Sequence, residues 1–233
     1  MKQLLTATAL FFSTIVLAQT KQTRNVGDFS GIGSATGITV QITQGEENSV
    51  VVSSSKDELT ENINTEVDKN GVLKIFYKTK EKGWNNNNKK GLKLNAFITF
   101  KNINKLMASS GSSLTATNTV KTDALSIDVS SGANFDAAVQ ATDCSITISS
   151  GSITKMSGTA SNVKVSASSG SAFNAANFVA ENCTASASSG AEIKIGVTKK
   201  LSVSASSGGS IKYSGNPEIE RKAVSSGGQV KSL

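Results

Sequence analysis

The triplet Ser-Ser-Gly recurs seven times between residues 109 and 227, with its glycine at Gly111, Gly132, Gly151, Gly170, Gly190, Gly208 and Gly227. Successive glycines stand 21, 19, 19, 20, 18 and 19 residues apart. So regular a period marks a repeat architecture, in which no copy buries its own apolar face and stacked neighbours complete the core.

The residues before each triplet alternate. Leu125, Ile127 and Val129 stand seven, five and three places before Gly132. The next copies supply Cys144, Ile146, Ile148, then Val163, Val165, Ala167, then Cys183, Ala185, Ala187, then Leu201, Val203, Ala205. Polar residues fill the gaps, so one face of a period-two strand is apolar. A further apolar position follows each glycine, at Leu114, Phe135, Phe173, Ile193, Ile211 and Val230, with Ile153 expected to serve the copy after Gly151. Each repeat therefore reads as strand, corner, short strand, turn. Stacked at about 4.8 Å per rung, such copies build an all-β, single-stranded parallel β-helix. The strict six-residue pattern of left-handed coils is absent, so a right-handed solenoid is expected. The glycine serves a corner with positive φ. The serines are structural, because nucleophilic chemistry needs a neighbouring base that the motif lacks. Ala at four inward sites makes the core thin. Glu220, Arg221 and Lys222, where inward residues are due, predict a polar end cap.

Composition narrows the chemistry. The chain has 233 residues and no His. That excludes Ser-His-Asp and Cys-His catalysis and any His-containing zinc site, and two Cys cannot form a four-thiolate site. No cofactor or metal site is expected. Residues 1–18, MKQLLTATALFFSTIVLA, carry Lys2, an apolar run and small residues before a cut at Ala18/Gln19. They read as a secretory signal peptide, since the run is too short to span a bilayer. Residues 19–104 lack the triplet but stay β-like, with one helical turn expected within Asp57 to Glu66. Residues 105–233 hold the regular rungs and the cap.

The segment FSGIGSATGITVQITQGEENSVVV from Phe29, the stretch INTEVDKNGVLKIFYK and the Ser-Ser-Gly rungs together resemble the head GIN domain family, labelled a putative autotransporter adhesin and common in Bacteroidetes. The resemblance spans about residues 28 to 215. The eponymous Gly-Ile-Asn stands here as Gly37-Ile38-Thr39, departing at its third place. The resemblance implies an exported β-helical protein.

Cys144 and Cys183 share one inward column, two rungs apart with Val163 between. Two rungs is about 9.5 Å, beyond the roughly 7 Å a disulfide tolerates, so two buried free thiols are expected. The formal charge of +7 directs attention to Lys194, Lys212 and Lys231, four places after three successive triplet glycines. They form a candidate stripe for acidic polysaccharide or lipopolysaccharide, against a plain solvated face that discourages edge pairing. Trp84, in the loop WNNNNKK, is a candidate glycan contact, against a residue folded over the core. Nucleic-acid binding is not expected, for want of any recognised motif. The function expected is a noncatalytic exported solenoid serving adhesion, ligand binding or envelope structure, with another surface protein as a further possible partner. The alternative is a β-helical lyase or hydrolase acting on acidic polysaccharide. Hydrolysis would need two carboxylates about 5 to 9.5 Å apart. Asp128 and Asp136 share a rung but flank the corner at Gly132.

Overall fold

The computed structural model describes residues 21–78 and 91–233. The expected signal peptide and Trp84 lie outside the described residues. The chain enters through β1 (Lys21–Thr23) and lays down β2 (Gly31–Ser34) and β3 (Thr39–Gln44). It continues through β4 (Ser49–Ser54), a 3-10 turn (Asp57–Asn62), β5 (Ile63–Val67), β6 (Val72–Tyr77) and β7 (Leu94–Phe100). Then come β8 (Lys105–Ala108), β9 (Ser113–Ala116), β10 (Val120–Val129), β11 (Asn134–Ile148), β12 (Ile153–Ala167), β13 (Ala172–Ala187) and β14 (Glu192–Ala205). Short strands β15 (Ser210–Ser214), β16 (Glu218–Val224) and β17 (Gln229–Ser232) finish the coil. From β8 onward all neighbouring rungs pair in parallel, as the repeat predicts for a β-solenoid. From β11 to β14 the short strand after each corner runs unbroken into the next strand, rather than stopping at a turn. Between β11 and β12, and past a bulge after Lys155 between β12 and β13, the ladder continues through the bend and holds the backbone extended.

The corners show why the triplet is needed. Its second serine has φ between 47 and 53° and its glycine between 68 and 74°. Two consecutive left-handed residues reverse the chain tightly. The N–H after the glycine closes each turn on the first serine's carbonyl, as in Ser112 to Ser109 at 3.1 Å and Ala133 to Ser130 at 3.1 Å. From Gly111 to Gly208 each glycine N–H instead donates to the next rung, as in Gly132 to Ser150 at 3.0 Å, so the corners stack as a hydrogen-bonded column. An eighth corner precedes the seven. Thr36 has φ 57° and Gly37 has φ 72°, and the Gly37 N–H donates to Ser110 O at 3.0 Å. The Gly-Ile-Thr segment is thus the corner glycine, an inward Ile38 and an outward Thr39 of an early rung.

Residues 31–44 form that rung, but the next rung upward is β8–β9, more than sixty residues later. In between, β6 and β7 run back beneath β2 and β3 in parallel. Antiparallel strands β5, β4 and β1 then cover that end.

Inward columns carry the core. Leu73, Ile32, Leu106, Ile127, Ile146, Val165, Ala185 and Val203 lie in consecutive register and are all buried. A second column runs Val40, Leu114, Phe135, Thr154, Phe173, Ile193, Ile211, Val230. Thr154 corrects the expectation at Ile153, which is 45% exposed and stands beside Asn134 and Ala172. The inward place after the Gly151 corner is filled by threonine. A full Val, Leu or Ile burial is worth about 1.5–3 kcal/mol, so the Ala-lined rungs near β13 and β14 draw less from this source.

The end beyond β14 differs from the expected cap. A bulge between Leu201 and Ser202 sets Ile219, Lys222 and Val224 opposite the inward Leu201, Val203 and Ala205. Of the three charged residues only Lys222 takes an inward place, because Arg221 pairs with the outward Ser202. Glu220 reaches back to Lys200 at 2.7 Å.

Candidate functional site: two outward faces of the solenoid

The lysine column lies on the segment that follows each corner. Thr115, Asp136, Lys155, Asn174, Lys194, Lys212 and Lys231 stand in unbroken register. Lys155 belongs to it too, standing four places after Gly151 as the other three lysines stand after their glycines. Glu192, one column over, lies 2.8 Å from Lys212 Nζ and 3.4 Å from Lys194 Nζ. The hydrogen bond from Lys212, with help from Lys194, holds its carboxyl below the usual range. The stripe is therefore an acid between two bases, with exposed Lys231 on the last strand.

The segment that precedes each corner carries a groove of about 520 Å³ running across successive rungs. One wall is the register column Ala124, Asp143, Asn162, Asn182, Lys200. Its side chains form a relay: Asn182 Nδ2 donates to Asn162 Oδ1 at 3.0 Å, and Asn162 Nδ2 to Asp143 Oδ1 at 3.0 Å. The neighbouring outward column supplies Ser126, Ser145, Lys164 and Thr184. Leu125, Cys144, Val163 and Cys183 lie between the two columns with their side chains turned into the core, only 2 to 4% exposed. Sequence reading passed over this groove because Asn162 and Asn182 look like ordinary polar surface. Their one signal is position, in successive steps of 19 and 20 residues from Asp143.

The same register places Cys144, Val163 and Cys183 one above another. Both cysteines are free and buried, and burial pushes each thiol up to about 12. The acids considered for catalysis stay apart in the fold. Asp128 lies before the Gly132 corner, 3.7 Å from Lys105, and Asp136 lies after it in the lysine column. Among the described residues no group of three or more Cys, Asp or Glu is placed to hold a metal ion.

Gln44 has a structural part. Its amide bonds Lys101 O at 3.1 Å and Lys121 O at 2.9 Å while accepting from Lys121 N at 2.7 Å. It staples the end of β3 to the residue after β7 and to the start of β10.

A family model described as putative auto-transporter adhesin, head GIN domain, matches residues 28–217. No curated protein matches the chain. Among solved structures, a putative adhesin from Bacteroides fragilis NCTC 9343 superposes with a TM-score of 0.81 at 21% identity, over 93% of this chain and 98% of that one. A putative adhesin from Parabacteroides merdae ATCC 43184 gives 0.69 at 17% identity, over 94% and 97%. A putative lipid binding protein from Parabacteroides distasonis ATCC 8503 gives 0.65 at 17% identity, over 94% and 98%. At these identities the likeness is one of fold.

Proposed function

The chain belongs to the putative auto-transporter adhesin, head GIN domain family, and on that premise we propose that it is a noncatalytic, exported protein of the cell envelope that attaches to surface polysaccharide. The observation that carries this reading is the repetition of outward polar columns at rung spacing along one rigid axis. A polymer meeting such a surface makes many weak contacts at once, and linked contacts raise the overall affinity without any one being strong. The lysine column offers acidic polysaccharide or lipopolysaccharide a foothold, tempered by Glu192.

A glycan array run beside a polysaccharide-degradation screen tests the reading. Binding without turnover is expected. Turnover without stable binding would establish instead an enzyme acting on acidic polysaccharide.

A further inference from the structure

We infer that the groove along Asp143, Asn162 and Asn182 binds an extended, uncharged polysaccharide lying parallel to the solenoid axis, about one sugar ring per rung. This rests on the reading of the protein as a glycan-attaching solenoid and assigns it a site and a ligand class.

Charge selects the class. The groove contains two acids, Asp143 and Glu220, and two bases, Lys164 and Lys200. Lys200 and Glu220 already pair at 2.7 Å. A polyanion gains no net attraction from such a lining, whereas a neutral chain meets no opposing field.

Hydrogen-bond capacity selects the chemistry. A side-chain amide has two donor hydrogens and an oxygen with two lone pairs. Within the relay Asn162 gives one hydrogen to Asp143 and accepts one from Asn182, leaving one donor and one acceptor. Asn182 keeps a donor and its oxygen. Donors and acceptors thus alternate along the wall, and sugar hydroxyls, which donate and accept, can answer both. Ser145 and Thr184 add hydroxyls opposite. Rungs repeat at about 4.8 Å, close to the advance per ring of an extended β-linked pyranose chain.

The test titrates the folded protein with a soluble neutral β-glucan, a neutral mannan, heparin and polygalacturonate, each at low and high salt. At least one neutral polymer is expected to bind, with an affinity that changes less than twofold with salt. Ser145→Ile with Thr184→Ile keeps good strand formers while removing hydroxyls and filling the groove, and should weaken neutral binding at least tenfold. Asn182→Ala should weaken it several-fold. The triple change of Lys194, Lys212 and Lys231 to Gln should leave it unchanged. Neutral binding that survives both groove variants overturns the inference. Binding of the acidic polymers alone, abolished by the triple Gln change, also overturns it while leaving polysaccharide attachment intact. Failure of every polymer to bind folded protein overturns both.

Discussion

Thr154 and Gly158 sit in β12 and make opposite demands on the core. Thr154 is fully buried between Phe135 and Phe173, and its hydroxyl has no hydrogen-bond partner. An unanswered buried hydroxyl costs about 1–3 kcal/mol, so Thr154→Val, of nearly equal shape, should stabilise by about 1 kcal/mol and raise the thermal midpoint. Gly158 has φ 110°, and an added Cβ would lie 2.0 Å from the Val139 carbonyl oxygen. Gly158→Ala should therefore lose at least about 2 kcal/mol in a denaturant titration. The cysteines give a pH signature. Their thiols are raised from an ordinary 9.0 to about 12, so above pH 9 the unfolded chain ionises first and binds fewer protons than the folded one. Stability should be unaffected by these groups below that pH and fall as pH rises from about 9 towards 12, which alkaline denaturation curves would reveal. Sequence reading placed both thiols correctly, because period two leaves no freedom within a strand. It misplaced Ile153, because hydrophobicity was allowed to outrank position after the corner.

Within the strands, register is the property most open to experiment. Adjacent inward residues stand about 4.8 Å apart, inside the range a disulfide accepts, whereas two rungs do not. Val163→Cys should thus give, under oxidation, a bond to Cys144 or Cys183, while the parent chain forms none; peptide mass mapping without reduction reads the difference. On the other face, Glu192→Gln removes the acid shared by Lys194 and Lys212. Heparin retention should rise, with a stability change below about 1 kcal/mol because the pairs are only half-buried and water still screens them. The seven triplet corners were legible because glycine and two serines recur in order. The eighth, at Thr36-Gly37, was not, because the backbone needs positive φ and not those letters. The groove escaped for a related reason. It arises from the bend that lets Asp143, Asn162 and Asn182 share an edge, and the unbroken strands through that bend were expected to be separate.

At the scale of the molecule the two ends are unlike. One is covered by antiparallel strands. The other closes on β16 and β17, where Ile219 and Val224 are 41 and 48% exposed. In a stack that coheres through nearest neighbours, the rung with one neighbour opens first. Native-state hydrogen exchange should accordingly show least protection in residues 218–232 and most in β11 to β13. Equal protection throughout would mean that the stack opens as one unit. Sequence reading recovered the stacked region but not its beginning, since the segment lying beneath the first rung comes later in the chain than that rung. That order has a consequence for how the chain assembles. While it emerges from its amino end, β2 and β3 have no partner on either side until β6, β7, β8 and β9 arrive. Once those are seated, every later turn has a finished template below it. The coil thus has a fixed foundation and a single growing tip, and its length is a matter of how many turns are written after the foundation, as with masonry laid from one footing.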